Sequence, residues 1–209
     1  MLELKLLRPF DKSDWEEVEG EEVDRLKDRW EFNSDTEWTI YQAKVFYEGF
    51  RDVKKAIEIL EKGLEKDTQN SDILFCLAEC YSRTPQSEKA LEYCTKGLEI
   101  NSTSEYGYTI KARVEIDRKN FVEAYTSAMN ALKINKYNYE AGICLGLSGF
   151  LLSARAGRID AMEKDIENLK VTLHFFPESK KVQNLIGQAE SYLNKLKQGE
   201  KLEQIVINL

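Results

Sequence analysis

The side chains able to do covalent or metal chemistry are few and isolated. The only histidine, His174, lies between Leu173 and Phe175 near a helix end, a setting for packing or partial exposure rather than catalysis. Cys76 and Cys80 share a helix face at i, i+4, but no second pair of His or Cys follows at zinc-ligand spacing, so small buried side chains account for them. There is no glycine-rich phosphate loop, nucleophile elbow or zincin motif, and Gly142, Gly146 and Gly149 follow no strand, so they read as close helix contacts rather than a nucleotide fingerprint. These patterns predict no catalytic residue, no cofactor and no metal site. The chemistry left is that of recognition: aromatic and charged groups recurring along the chain.

What positions them is an internal repeat. Windows beginning at Glu37, Ser71, Glu105 and Tyr139 each start 34 residues after the last. The eighth place holds Ala78, Ala112 and Gly146 in the later windows, while Lys44 breaks the pattern in the first. The twentieth place holds Ala56, Ala90 and Ala124, and the twenty-seventh Gly63, Gly97 and Ala131. Small residues at such places let two helices press together, with large neighbours filling the remaining volume. Between them Ile57, Leu60 and Leu64, and their counterparts Leu91, Cys94 and Leu98, fall at the three-and-four spacing of one helical face. Turns rich in Asn, Asp, Ser and Thr (67–70, 101–104, 135–138) close each window and suit the capping of the next helix.

The stretches Leu77-Ala78-Glu79-Cys80-Tyr81, Lys119 to Ala124 and Ala90 to Asn101 resemble the helix A and helix B signatures of the tetratricopeptide repeat family. The resemblance covers residues 37–138 as three repeats (37–70, 71–104, 105–138), lacking only the proline of the terminal turn and a tryptophan at the fourth place. It implies an all-α fold, a right-handed α–α superhelix of helix pairs whose A helices line a concave wall. It also implies that this wall binds partners, so the expected groove residues are Trp38, Tyr41, Gln42, Phe75, Glu79, Tyr106, Thr109 and Arg113. Exposed aromatic rings there would anchor a peptide or helix, unless the chain itself covers them. The family's carboxylate clamp of Lys, Asn and Arg has Tyr41, Val45, Cys76, Tyr106 and Ile110 at the corresponding places, so a receptor for chaperone tails is not expected.

Both ends depart from the repeat. The fourth window, 139–179, is about seven residues too long, the surplus falling near Ala154 to Arg158. Its inner face, with Leu147, Phe150 and Leu151, is either covered by the C-terminal helix or is a second contact patch together with Ile205 and Leu209 of the tail. Residues 180–209 read as a C-terminal capping helix, apolar on one side, plus an apolar tail at Leu202, Ile205, Val206 and Leu209. Residues 1–36 form an acidic segment with a capping box at Ser13-Asp14-Trp15-Glu16 and an expected capping helix.

Charge narrows the partners. Eleven acids against four bases between Asp11 and Asp35 account for the whole net charge of −7, as a solvated face or a docking segment for a basic partner. The neutral remainder offers no footprint for nucleic acid. No apolar run approaches the roughly 20 residues that span a bilayer, and four cysteines without a secretory leader suit the reducing cytoplasm. The expected function is a non-enzymatic adaptor or scaffold subunit binding a protein or peptide. The other reading is a regulatory sensor of a peptide or small ligand. Stoichiometry is left open.

Overall fold

The structure, a computed structural model, describes Phe32 and residues 34–199. Among the described residues nine α-helices follow one another without a strand. They are α1 (Asp35–Lys44, continued by a π turn over Val45–Gly49), α2 (Val53–Lys66), α3 (Ser71–Ser82), α4 (Ser87–Ile100), α5 (Glu105–Asp117), α6 (Phe121–Ile134), α7 (Tyr139–Arg155), α8 (Ile159–Phe175) and α9 (Lys180–Lys197). The capping box at Ser13 and the tail residues Ile205 and Leu209 lie outside the described residues. No described helix is long and apolar enough to cross a membrane.

Local sequence explains where the helices begin. Ser34, Asn70, Ser104, Asn138 and Ser179 each accept a hydrogen bond from the backbone N–H three residues on, at 2.9–3.2 Å, and such a cap contributes about 1 kcal/mol. Two of these caps also tie neighbouring repeats together. Asn70 Nδ2 donates to Thr36 Oγ1 at 3.4 Å and Asn138 Nδ2 to Thr109 Oγ1 at 3.1 Å.

Consecutive helices then pair at their small residues. Ala56, Ala90 and Ala124 of α2, α4 and α6 are wholly buried, as are Ala78 and Ala112 of α3 and α5. The core runs as a series of clusters along the superhelix: one across α1 to α5 around Leu60, Phe75 and Leu77, one across α5 to α7 around Ala112, Ala128 and Leu147, and one across α7 to α9 around Phe150, Met162 and Leu185. A fourth, at the N-terminal edge, joins Phe32 to Trp38, Tyr41 and Val45.

The two irregular repeats have different causes. In the first, the small residue facing α2 is Ala43, 2% exposed, and Lys44 points to solvent. Asp35 lies 36 residues before Ser71, and the π turn, whose Phe50 N–H reaches back to Val45 O at 3.2 Å, takes up surplus length before the register resumes in α2. In the fourth, α7 and α8 have 17 residues each, four more than α5 and three more than α6. Seven residues divided this way add close to one turn per helix, so the facing stripes stay aligned and the connection remains short.

Left-handed backbone recurs in these connections. Arg51 (φ 55), Lys119 (φ 62) and Gly157 (φ 65) each stand two residues ahead of a second helix, and only glycine adopts that conformation without a penalty. Lys119→Gly is expected to raise the unfolding free energy by about 0.5–1 kcal/mol, measured by urea denaturation; a loss would show that the Lys119 side chain has a compensating role.

Candidate functional site

The first helices α1, α3 and α5 pack side by side across successive repeats as one wall, and this wall carries a polar network spanning two repeats. Glu79 of α3 and Arg113 of α5, 34 residues apart and at the same repeat place, pair at 2.8 Å with side chains 18% and 25% exposed. The Tyr106 hydroxyl donates to the other Glu79 oxygen. Arg83 approaches the same carboxylate at 3.8 Å while its guanidinium lies 5.9 Å from the Tyr47 ring centre. Burial by itself would raise the Glu79 carboxyl, but Arg113 and the two hydrogen bonds outweigh it and hold it below its ordinary value. Desolvation of its hydroxyl pushes Tyr106 well above the usual tyrosine range.

Beside this network is a shallow cavity of about 20 Å³, lined by Ala43, Lys44, Tyr47, Glu48, Cys76 and Tyr106 among others. Lys44 and Glu48 are exposed at its rim. Sequence reasoning did not place either of them in the groove. The available signal was Ala43 standing one residue ahead of the broken eighth place, which shifts the inward face of α1.

Several expected groove residues are elsewhere. Phe75 is 1% exposed: its ring is wedged between α4 and α5, where a side chain on Gly97 would meet Phe75 Cε1 at 2.5 Å and one on Gly107 would meet Cζ at 2.6 Å. It is a core residue, corrected from groove anchor. Trp38 and Tyr41, 7% and 6% exposed, are likewise corrected, because Phe32 packs on them with ring centres 4.9 and 5.2 Å away. Thr109, also buried, spends its hydroxyl on Glu105 O and the Asn138 cap. Gln42 is half-buried. Of the eight, Tyr106 (39% exposed), Glu79 and Arg113 come together on the wall.

The second patch is corrected too. Leu147 (2% exposed) packs from α7 against α5 and α6, and Phe150 (0%) lies under α9 with its ring centre 6.0 Å from that of Tyr192; Leu151 is half-buried. The C-terminal helix covers what the repeat left open. In the extended part of this repeat Asp165, 8% exposed, accepts from Ser153 Oγ at 2.6 Å and faces Gly149, and burial raises its carboxyl.

The remaining reactive groups are embedded or isolated. Cys76, Cys80, Cys94 and Cys144 are free and buried, and burial pushes each thiol up to about 12. His174 is exposed next to the Phe175 ring. No group of three or more His, Cys, Asp or Glu among the described residues is arranged to hold a metal.

Helix pairs closed by small residues, capped at each repeat boundary and lined on one side by their first helices, define a tetratricopeptide-like fold, a right-handed α–α superhelix. Solved structures agree. MamA matches with a TM-score of 0.60 at 20% identity, over 78% of this chain and 87% of MamA. TTC0263, a thermophilic TPR protein of Thermus thermophilus, matches with 0.57 at 18% identity, over 78% and 83%. The Arabidopsis OM64 TPR domain matches with 0.50 at 19% identity, over 60% and 94%. At these identities the likeness is one of fold. No protein-family model and no curated protein sequence matches the chain.

Proposed function

We propose that this chain is a non-enzymatic protein-interaction module, an adaptor or scaffold subunit that holds a peptide or helix of a partner protein against the wall formed by α1, α3 and α5. The observation that carries this reading is the juxtaposition of the exposed Tyr106 ring with Lys44 and Glu48 on one shallow cavity. An aromatic face supplies apolar area at low rotamer entropy, and the flanking charges orient what lies on it.

The wall differs from a carboxylate clamp in a specific way. Arg113 is paired with Glu79, and Lys44 and Glu48 line one cavity, so the described wall presents charges of both signs rather than a set of cations for a terminal carboxylate. The partner segment we infer is therefore internal, with an apolar or aromatic residue over Tyr106. The neutral body favours protein over nucleic acid, and the four buried free thiols support a reducing, cytoplasmic setting.

The test is co-purification from native extract with mass spectrometry, comparing the wild type with Tyr106→Ala combined with Lys44→Glu. A control variant carries Val171→Ser and Phe175→Ser, which lie outside this wall. Partners lost from the groove variant and kept by the control are expected; equal recovery from all three proteins sinks the groove reading.

A further inference from the structure

A second cavity, of about 90 Å³, opens between α6 and α8, the second helices of the third and fourth repeats, and shares no residue with the one beside Tyr106. Two helical faces make its sides. On α8, Asn168, Val171, Thr172 and Phe175 follow at spacings of three and four, and on α6 Met129, Leu132 and Lys133 do the same. Its floor is Gly142 and Leu145 of α7. One repeat earlier these two places hold Tyr108 and Lys111, a ring and a charge where this junction has bare backbone and an apolar side chain.

The rim is apolar and exposed. Among the described residues Val171, Tyr137 and Phe175 are 57%, 53% and 48% exposed, and the Tyr137 and Phe175 rings stand edge to face with centres 5.2 Å apart. Large apolar groups exposed singly are ordinary, but gathered around a cavity they mark a contact site.

Polar groups at this rim specify the occupant. The Asn168 side-chain amide, half-buried on the cavity wall, makes no hydrogen bond among the described residues. An amide offers donor and acceptor together, the complement of a main chain whose own N–H and C=O are free, as in an extended segment. Of the described residues lining the cavity Lys136 alone is charged, its Nζ 4.8 Å from the Tyr137 ring centre, and Lys133 is exposed three residues before it. Neither lysine has an ion-pair partner among the described residues, and Glu167, next to Asn168 in sequence, is held by Lys170 at 3.0 Å. An enclosed apolar cavity of about 150 Å³ holds a benzene ring, so this smaller one admits an aliphatic side chain.

We propose that this surface, separate from the wall of first helices, binds an extended acidic segment of a partner protein, with an aliphatic side chain in the cavity, its main chain on Asn168 and a carboxylate on Lys133 and Lys136. A second copy of the chain is a poor occupant, because two such faces meeting about a two-fold axis set the lysines of one against those of the other.

The test is selection from a phage-displayed library of random short peptides on the full chain, followed by fluorescence-anisotropy titration of the enriched peptides made synthetically. These are expected to carry an aliphatic residue flanked by Asp or Glu. Val171→Ser with Phe175→Ser should weaken them by about tenfold or more. Lys133→Glu with Lys136→Glu should weaken them too and, in a fresh selection, enrich basic peptides instead. All four positions are exposed, so both variants should unfold at the wild-type temperature. Tyr106→Ala with Lys44→Glu should bind as the wild type does, which separates this surface from the groove: a partner lost from that variant and kept by the Val171 and Phe175 variant belongs to the wall. No enrichment on the full chain overturns the proposal, whether the surface is idle or held by the chain's own acidic residues 11–35. So does a selection free of acidic residues, binding indifferent to the α8 and lysine changes, or a dimer that those changes dissolve in analytical ultracentrifugation.

Discussion

Phe75→Ala is expected to lower the unfolding free energy by about 3–5 kcal/mol, the range for removing a buried aromatic ring from a close-packed core. The ring is the wedge on which α4 and α5 close, and both helices supply a glycine to admit it. The converse substitution sharpens the test. Gly107→Ala places a methyl against the ring and the Leu98 side chain, so it destabilises the wild type, although alanine is the better helix former by about 1 kcal/mol. In a Phe75→Ala background the same methyl enters vacated space, and Gly107→Ala becomes neutral or stabilising. Urea unfolding of the four proteins in this cycle measures the coupling directly. Additive effects would show that Phe75 and Gly107 do not share a contact.

Glu79→Gln is expected to cost about 2 kcal/mol at neutral pH. Removing one partner of a buried ion pair costs about 3–5 kcal/mol when the survivor is fully desolvated, and the partial exposure of Arg113 reduces this. The pH dependence has a definite sign. Because the folded protein holds the Glu79 carboxyl below its ordinary value, its contribution is fully present above the unfolded-state value of about 4.3 and is lost as pH falls through the lower folded one. Stability curves of wild type and variant should therefore lie apart at pH 7 and converge in acid. A gap that persists unchanged down to acid pH would mean that the Gln acts through packing rather than charge. Replacing both partners, with Glu79→Leu and Arg113→Met, should cost less than the two single changes together, since neither charge is then left without the other.

Most of the fold was legible because it is written in small residues at a fixed interval. Ala56, Ala90 and Ala124 occur where backbones must approach closely, and nothing larger fits there without displacing a neighbouring helix. The caps were legible for the same local reason, since Asn70, Ser104 and Asn138 act on N–H groups three residues away. The groove was less so. A repeat place specifies a direction from the helix axis, but whether the side chain there meets solvent depends on what the next helix offers opposite. Phe75 and Tyr106 were both assigned to the wall by place; glycines at 97 and 107 opened a slot that takes Phe75 inward and leaves the Tyr106 ring out.

The sequence by itself determined the helical class, the repeat period and the capped helix starts after Asn70, Ser104 and Asn138, all of which follow from contacts within one repeat or with its neighbour. Tertiary structure decided which rings are exposed and which are core, because that depends on helices meeting across repeats. It decided that Lys44 is a wall residue, because the π turn changes the facing of α1. It decided that the seven extra residues lengthen two helices rather than form a loop, since two added turns keep a helical hairpin in register. And it decided that Leu147 and Phe150 belong to the interior, because Leu147 meets α5 and α6 while α9 lies across Phe150, on a face that the repeat pattern alone leaves open.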